Sequence, residues 1–339
     1  MQLSVLDQSP VRTGATAADA FADTLALARA ADRWGYRRYW VAEHHNTEGL
    51  AGAAPEILIA RIAGVTERIR VGSGGVMLSH YSPYKVAENF RVLHTLFPGR
   101  IDLGVGRAPG SDGRTAMALQ AGPGAVGIDQ FPNQVADLID WLHDKLPAEH
   151  PFAGVRATPA GPDAPEFWLL GSSDQSAVYA AHFGCAFSFA HFISGLGAEE
   201  VLGAYRRLFR PSALEAAPRG SIAVFALCAD SEAEADRLSM SRDLWLLRLR
   251  QGRTGAFPSP EEAAAYPYNE QELAVVRYNR RRTIAGTPEQ VKARLAEMAR
   301  ACGVEEVVVV TICHDFQARL RSYELLAQAF ELPTVKEAA

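Results

Sequence analysis

Short apolar runs alternate with longer amphipathic segments along this chain of 339 residues. The apolar runs are rich in β-branched residues, carry apolar side chains on both faces and predict buried strands at 3–6, 38–42, 69–76, 101–105, 167–170, 186–189, 222–229 and 306–312. Apolar residues at helical spacing predict helices after them at 17–34, 55–66, 83–96, 129–146, 174–183, 198–209, 288–302 and 316–330. Repeated strand–helix units favour a closed parallel sheet, so we predict an α/β fold of the (β/α)8 TIM-barrel class.

Three segments are too long to be ordinary connections between a strand and a helix. They lie near 106–127, which is rich in glycine, near 147–165, which is rich in proline and alanine, and near 231–282, which has helical patterning. We interpret them as helical and loop insertions in a barrel rather than as linkers between domains. The sequence therefore predicts a single domain over 1–339.

The composition narrows the classes of function. Lys plus Arg number 34 against 39 Asp plus Glu, which gives a formal net charge of −5 and disfavours nucleic acid as a partner. No apolar run approaches the roughly 18 residues that span a membrane, and the N-terminus does not resemble a signal peptide. The four cysteines are widely spaced, which is typical of reduced thiols. We expect no membrane association and a cytoplasmic location.

The positions just after the strands predict a cofactor site, because the loops at the C-terminal ends of barrel strands form the active site. They are rich in glycines, hydroxyls and histidines and include one arginine, Arg107. This set suits a flat ring that carries a phosphate. Ser172, Ser173 and Ser176 stand where a helix begins, and a helix N-terminus and an arginine both favour an anion. The same serines are also typical helix caps, which is the alternative interpretation.

Five ordered segments resemble those of the luciferase-like flavin-dependent monooxygenases, the family of bacterial luciferase. They are YWVAEHH at 39–45, VGSGGVM at 71–77, GRIDLGVGR at 99–107, LGSSDQSA at 170–177 and GTPEQV at 286–291. Together they cover nearly the whole chain in the order that the family has. The resemblance implies the same barrel fold and an FMN cofactor whose phosphate is bound by Arg107, Ser173 and Ser176, with Ser172 nearby.

The resemblance also assigns residues to the flavin ring. Gly74, Gly75 and Met77 are expected beneath it, at a point where relatives often have a cis peptide that does not involve proline. Both a cis peptide and a simple bulge at the strand end remain open for Gly74–Gly75.

The paired histidines complete the expected site. The resemblance places His44 beside the reacting edge of the flavin, where a histidine near its ordinary pKa exchanges protons at neutral pH. Glu43 is expected to orient His44 or to contact the ring, and His45 to be a structural partner. We expect no bound metal.

The resemblance implies a two-component enzyme. Reduced FMN from a separate NAD(P)H:flavin reductase would react with O2 and oxygenate a small organic substrate, and the protein would be a homodimer whose contact involves the helices that flank strands two and three. Phe189 and Phe192 are candidates for the wall of a substrate pocket.

Three alternatives remain at this stage. The first is a flavin-binding barrel protein without catalysis, and the second is an oxidoreductase that uses a deazaflavin. The third is a metal-dependent barrel hydrolase, for which Asp7, His314 and Asp315 provide ligand types near the strand ends. A near-match to a dinucleotide fingerprint at 104–110 has Pro109 in place of its third glycine, so a nicotinamide-binding domain of that type is not predicted.

Overall fold

The computed structural model describes residues 1–108, 112–120, 127–195 and 197–334. Its strands are β1 (Gln2–Asp7), β2 (Arg38–Val41), β3 (Arg70–Ser73), β4 (Val76–Met77), β5 (Ile101–Gly106), β6 (Glu166–Gly171), β7 (Ala186–Ala190), β8 (Gly220–Cys228), β9 (Thr283–Gly286) and β10 (Glu306–Val310). Its helices are α1 (Ala17–Arg33), α2 (Pro55–Ala63), α3 (Pro83–Leu96), α4 (Gly113–Leu119), α5 (Phe131–His143), α6 (Asp174–Phe183), α7 (His191–Ser194), α8 (Ala198–Leu208), α9 (Glu232–Arg250), α10 (Pro260–Ala265), α11 (Glu270–Arg280), α12 (Pro288–Cys302) and α13 (Phe316–Ala329).

The strands form a closed parallel barrel in the order β1, β2, β3, β5, β6, β7, β8 and β10. Closure comes from β10, which pairs in parallel with both β8 and β1. Strands that are apolar on both faces bury one face in the barrel and the other against the surrounding helices. The predicted (β/α)8 barrel is confirmed.

Two features of the sheet differ from the sequence-based expectation. The predicted strand at 69–76 is interrupted after Ser73, and β4 resumes the pairing with β5 at the level of Val76 and Val105. Strand β9 was not predicted. It pairs with the C-terminal half of β8, beyond the point where β7 leaves that strand.

The predicted insertions differ in structure. Residues 231–282 contain α9, α10 and α11, as the helical patterning predicted. Trp245 of α9 stacks on Phe257 with ring centroids 4.4 Å apart, and both belong to the apolar cluster inside the barrel mouth. Part of 106–127 lies outside the described residues, and the remainder includes the unpredicted α4. Residues 147–165 form no helix or strand. The assignment of a single domain to residues 1–339 stays a prediction.

A buried ionic cluster fills the end of the barrel where the strands begin. Arg38 is 1% exposed and pairs with Asp102 at 2.8 Å and with Glu306 at 2.7 Å. Burial by itself lowers the pKa of Arg38, but the carboxylates of Asp102 and Glu306 outweigh this effect, so the pKa is raised overall. Trp40 and Trp168 meet edge to face above the cluster, with centroids 5.2 Å apart. The barrel is therefore closed at this end and has its cavity at the other.

No helix in the described ranges has the length and apolar character needed to cross a bilayer.

Candidate active site

A cavity of about 470 Å³ opens where the barrel strands end. This volume is typical of small-molecule sites. Every residue that the sequence predicted for catalysis or cofactor binding lines it: Glu43, His44, Gly74, Gly75, Met77, Arg107, Ser172, Ser173 and Ser176. The fold thus brings together residues from four separate strand ends.

The glycine pair forms a surface without side chains on the cavity wall. The Gly74–Gly75 peptide is cis, one of the two geometries that the sequence left open. A Cβ on Gly74 would lie 2.6 Å from Cδ1 of Leu6, and one on Gly75 would lie 2.6 Å from the carbonyl oxygen of Gly104. Gly75 therefore requires glycine because the backbone of β5 lies so close, whereas a Cβ on Gly74 would displace the end of the Leu6 side chain. Both positions present bare backbone to a ligand.

Arg107 and the start of α6 form a region suited to an anion. Arg107 directly follows β5 and is half-buried, and its guanidinium makes no ion pair or hydrogen bond with any described residue. Ser173 caps α6, since its Oγ accepts a hydrogen bond from Ser176 N at 3.4 Å. The Oγ atoms of the two serines are 3.2 Å apart. An unpartnered guanidinium on the loop next to a helix N-terminus offers donors and positive charge to a phosphate.

Glu43 is held by three groups, and His44 is not one of them. Its Oε1 accepts a hydrogen bond from Tyr81 Oη at 2.6 Å and lies 2.7 Å from His45 Nε2. Its Oε2 accepts from the backbone N–H of Met77 at 3.0 Å. The expectation that Glu43 orients His44 is not what the structure shows, because the carboxylate instead ties the end of β2 to β4. His45 is the structural partner that the sequence predicted.

His44 has a buried ring nitrogen without a hydrogen-bond partner, Nδ1. Burial, followed by the nearby His45, lowers the pKa of His44 to about 4. The ring is therefore neutral at pH 7. This corrects the expectation of a nearly unperturbed histidine, which did not include the desolvation that the barrel mouth imposes.

Sequence reasoning missed several residues of the cavity wall. Ser188 lines the cavity and accepts a hydrogen bond from Ser221 Oγ at 2.8 Å. Alternation along β7 was the available signal, because Phe187 and Phe189 face the surrounding helices and so turn Ser188 inward. Of the two predicted phenylalanines, Phe192 lines the cavity and Phe189 does not. Gln8 also lines it, as its position directly after the first strand predicted.

Asp7, considered as a metal ligand, is committed to other partners. Its buried carboxylate accepts hydrogen bonds from Thr24 at 2.7 Å, Tyr39 at 2.6 Å and Arg319 at 2.7 Å. His314 is on the surface and approaches the carbonyl oxygen of Thr13 at 3.2 Å. Among the residues that the structure describes, no three metal-ligating side chains come together.

A closed parallel barrel with an enclosed cavity at its strand ends defines an enzyme of the TIM-barrel class. The model of the luciferase-like monooxygenase family matches residues 1–306, and the chain belongs to this family. The resemblance seen in the sequence and the prediction of a monooxygenase are thereby confirmed.

Relatives of similar length agree. The N-acetyl-S-alkylcysteine monooxygenase of Bacillus subtilis is 41% identical over 332 residues, which cover 97% of this chain and 98% of the relative. A luciferase-like monooxygenase of Escherichia coli is 40% identical over 322 residues, 95% of each chain. The solved structure of apo-MsnO8 is 42% identical, has a TM-score of 0.90 and covers 98% of this chain and 99% of its own.

More distant structures share the fold. The oxygenating constituent of 3,6-diketocamphane monooxygenase from Pseudomonas putida, in complex with FMN, has a TM-score of 0.70 at 20% identity and covers 99% of both chains. An F420-dependent secondary alcohol dehydrogenase with an F420–acetone adduct has a TM-score of 0.70 at 13% identity and covers 97% of this chain and 98% of its own.

Proposed function

We propose that the protein is a two-component monooxygenase that binds reduced FMN in the 470 Å³ cavity and oxygenates a small organic substrate. One observation carries the proposal: the unpartnered guanidinium of Arg107, the start of α6 and the bare backbone of Gly74–Gly75 line the same cavity.

The residues present fit FMN. Arg107, Ser173 and Ser176 would hold the phosphate, with Ser172 nearby, because they offer donors and positive charge, and no carboxylate of the described residues pairs with Arg107. Gly74 and Gly75 would present their bare backbone to the ring. Met77 would contact the same face.

When bound, reduced FMN supplies the electrons that activate O2, so that one oxygen atom enters the substrate and the other becomes water. The protein positions and shields this chemistry. Apolar walls that include Leu170 and Phe192 exclude water. Neutral His44 would accept or donate a proton at Nε2, because Nδ1 is the buried ring nitrogen, and Glu43 would keep the loop beside it in place through Tyr81 and Met77.

A deazaflavin is the second candidate cofactor, because an F420-dependent enzyme shares the fold. A deazaflavin acts as a hydride carrier, whereas a monooxygenase needs a cofactor that reacts with O2, and this favours FMN. Titration of the purified protein with FMN and with F420 compares the two directly. Tighter binding of F420 would replace FMN in the proposal.

A separate NAD(P)H:flavin reductase would supply the reduced cofactor, and both proteins would act in the cytoplasm. The four cysteines are free and buried, which fits that compartment. N-acetyl-S-alkylcysteines are the first substrates to test, because a relative of 41% identity is named for them. Product formation should require NADH, FMN, the reductase and this protein together.

The deciding experiment follows ¹⁸O from ¹⁸O2 into product by mass spectrometry, with wild type and His44→Ala. Label in the product and a rate about 10²–10⁴-fold lower in His44→Ala support the proposal. If the protein binds FMN but oxygenates no substrate, the result contradicts the proposed monooxygenase and favours a flavin-binding protein without catalysis. Identical rates in the two proteins would remove His44 from the mechanism.

A homodimer is part of the proposal. Large apolar side chains are exposed on the helices that flank the second and third strands, namely Ile57 on α2 (69% exposed) and Val92 (44%) and Leu96 (61%) on α3. Exposed apolar patches of this kind are typical of contact surfaces.

A further inference from the structure

Two arginines beside the cavity have N–H groups without partners. Arg242 of α9 is 5% exposed, and its Nη1 donates to Thr283 Oγ1 at 2.6 Å, but its Nε and Nη2 are buried and unpartnered. Arg282, just after α11, donates through Nη1 to the carbonyl oxygen of Ile193 and through Nη2 to Asn279 Oδ1, while its Nε is buried and unpartnered.

Neither guanidinium has a carboxylate partner within the described ranges. Asp243, next to Arg242 in sequence, pairs instead with Arg280 at 2.6 Å. Burial lowers the pKa of Arg242; the carboxylate of Asp243 acts against this shift, and the positive charge of Arg282 adds to it. Two cations therefore lie close together, and the nearby carboxylate of Asp243 compensates them only in part because it pairs with Arg280. A buried charge without a counter-ion is costly, so a bound anion would be stabilised here.

Both arginines stand directly behind one wall of the 470 Å³ cavity. The guanidinium carbon of Arg242 lies 3.5 Å from the centroid of the Phe225 ring, and this ring meets that of Phe192 at 5.5 Å. Phe192 and Ile193 line the cavity, and Arg282 binds the backbone of Ile193. This wall belongs to α7, the short helix that follows β7, and to β8, whereas the predicted site residues follow β2, β3, β5 and β6 or lie in β4.

Arg242 also lines a small second cavity of about 10 Å³, together with Ser239, Phe225 and Thr283. This is room for about one water molecule. The side chain of Phe225 lies between Arg242 and Phe192 of the larger cavity. A turn of the Phe225 and Phe192 side chains would join the two spaces and expose the free N–H groups of Arg242 to the contents of the larger one.

We propose that the substrate is an organic carboxylate whose anionic end is bound by Arg242 and Arg282 behind this aromatic wall. The inference rests on the proposed function, because it places the substrate in the same cavity as the cofactor. Planar guanidinium groups match carboxylates through paired, charge-assisted hydrogen bonds. A carboxylate held behind α7 and β8 leaves the rest of the substrate to extend toward the cofactor residues.

Equilibrium binding tests the inference without turnover. Acetate, hexanoate, 3-phenylpropanoate and N-acetyl-S-ethylcysteine are each compared with the matching neutral primary amide by calorimetry, with FMN present and at constant ionic strength. We expect at least one carboxylate to bind wild type about tenfold or more tightly than its amide. Arg242→Gln should abolish this preference, and Arg282→Gln should reduce it.

The exposed neighbour Arg281 provides a matched control, because Arg281→Gln removes the same charge nearby and should keep the preference. If Arg242→Gln fails to fold, Arg282→Gln carries the test, since its side chain is only half-buried. Equal binding of all acids and amides to wild type overturns the inference, as does a preference that survives in the variants. If wild type binds a carboxylate more tightly than its amide but no ¹⁸O enters any product, the result supports the anion site and contradicts the proposed oxygenation.

Discussion

Arg107 shows how one side chain can define a binding region. Its guanidinium lies on the cavity wall without a partner among the described residues, close to the first turn of α6. Arg107→Ala should weaken FMN binding by about 10- to 100-fold, because charge-assisted hydrogen bonds to the phosphate are lost. Fluorescence titration measures the Kd. Arg114→Ala, which removes an exposed arginine of α4, serves as control, and equal Kd values for both variants would contradict the assignment.

His44 gives a prediction about pH. Its pKa is lowered by burial to about 4 from the ordinary 6.5, so the unfolded chain binds more protons than the folded one between these values. Stability should therefore fall as the pH falls through this window, by up to about 3 kcal/mol from this group. Urea denaturation at pH 7 and pH 4.5 measures the loss.

His44→Gln should lose less stability than wild type over that pH interval. His182→Gln, at an exposed position, should behave as wild type does. The same loss in all three proteins would mean that His44 is not desolvated in solution.

At the scale of elements, α6 combines capping with ligand binding. Ser173→Ala removes the oxygen that accepts from Ser176 N, which should cost about 1 kcal/mol of the free energy of unfolding. It should also raise the Kd for FMN several-fold, because a phosphate donor is lost. Ser231→Ala removes the corresponding cap of α9 and should cost similar stability without changing the Kd. If both variants bind FMN as wild type does, Ser173 is only a cap.

The elements also show where pattern reasoning works. Long periodic segments such as α1, α3, α12 and α13 were predicted almost to the residue, because their burial follows a helical period. β9 was missed because four residues after a helix carry little periodicity, and its strand form depends on pairing with β8. The interruption between β3 and β4 falls at Gly74–Gly75, which the sequence had marked as a cis peptide or a bulge, although the predicted strand was continued to residue 76.

At the scale of the molecule, Arg38 links distant strands at the closed end of the barrel. It forms ion pairs with Asp102 of β5 and Glu306 of β10. Without Arg38, these two buried carboxylates would lose the positive charge that compensates them. Arg38→Met should therefore lower the free energy of unfolding by about 3–5 kcal/mol. Arg321→Met, which removes an exposed ion pair with Asp230, should change it by less than about 1 kcal/mol. Chemical denaturation measures both, and similar losses would refute this ranking.

The proposed dimer is tested by its exposed apolar side chains. Ile57→Glu combined with Leu96→Glu should shift the protein from dimer to monomer in sedimentation velocity, because charges are buried in the contact. Leu208→Glu, at a 53% exposed position on α8, is the control and should stay dimeric. A monomeric wild type, or a double variant that remains dimeric, would contradict this surface.

The sequence by itself determined the alternation of strands and helices, the barrel class and the residues that meet at its mouth. These follow from periodicity and from motifs at strand ends, which are local along the chain. Only the tertiary structure decided that Glu43 holds His45 and Tyr81 rather than His44, and that burial lowers the pKa of His44 to about 4. It likewise decided that Arg242 is buried without a carboxylate partner behind Phe225. Desolvation and partner choice depend on groups that are far apart in sequence, and no local pattern encodes them.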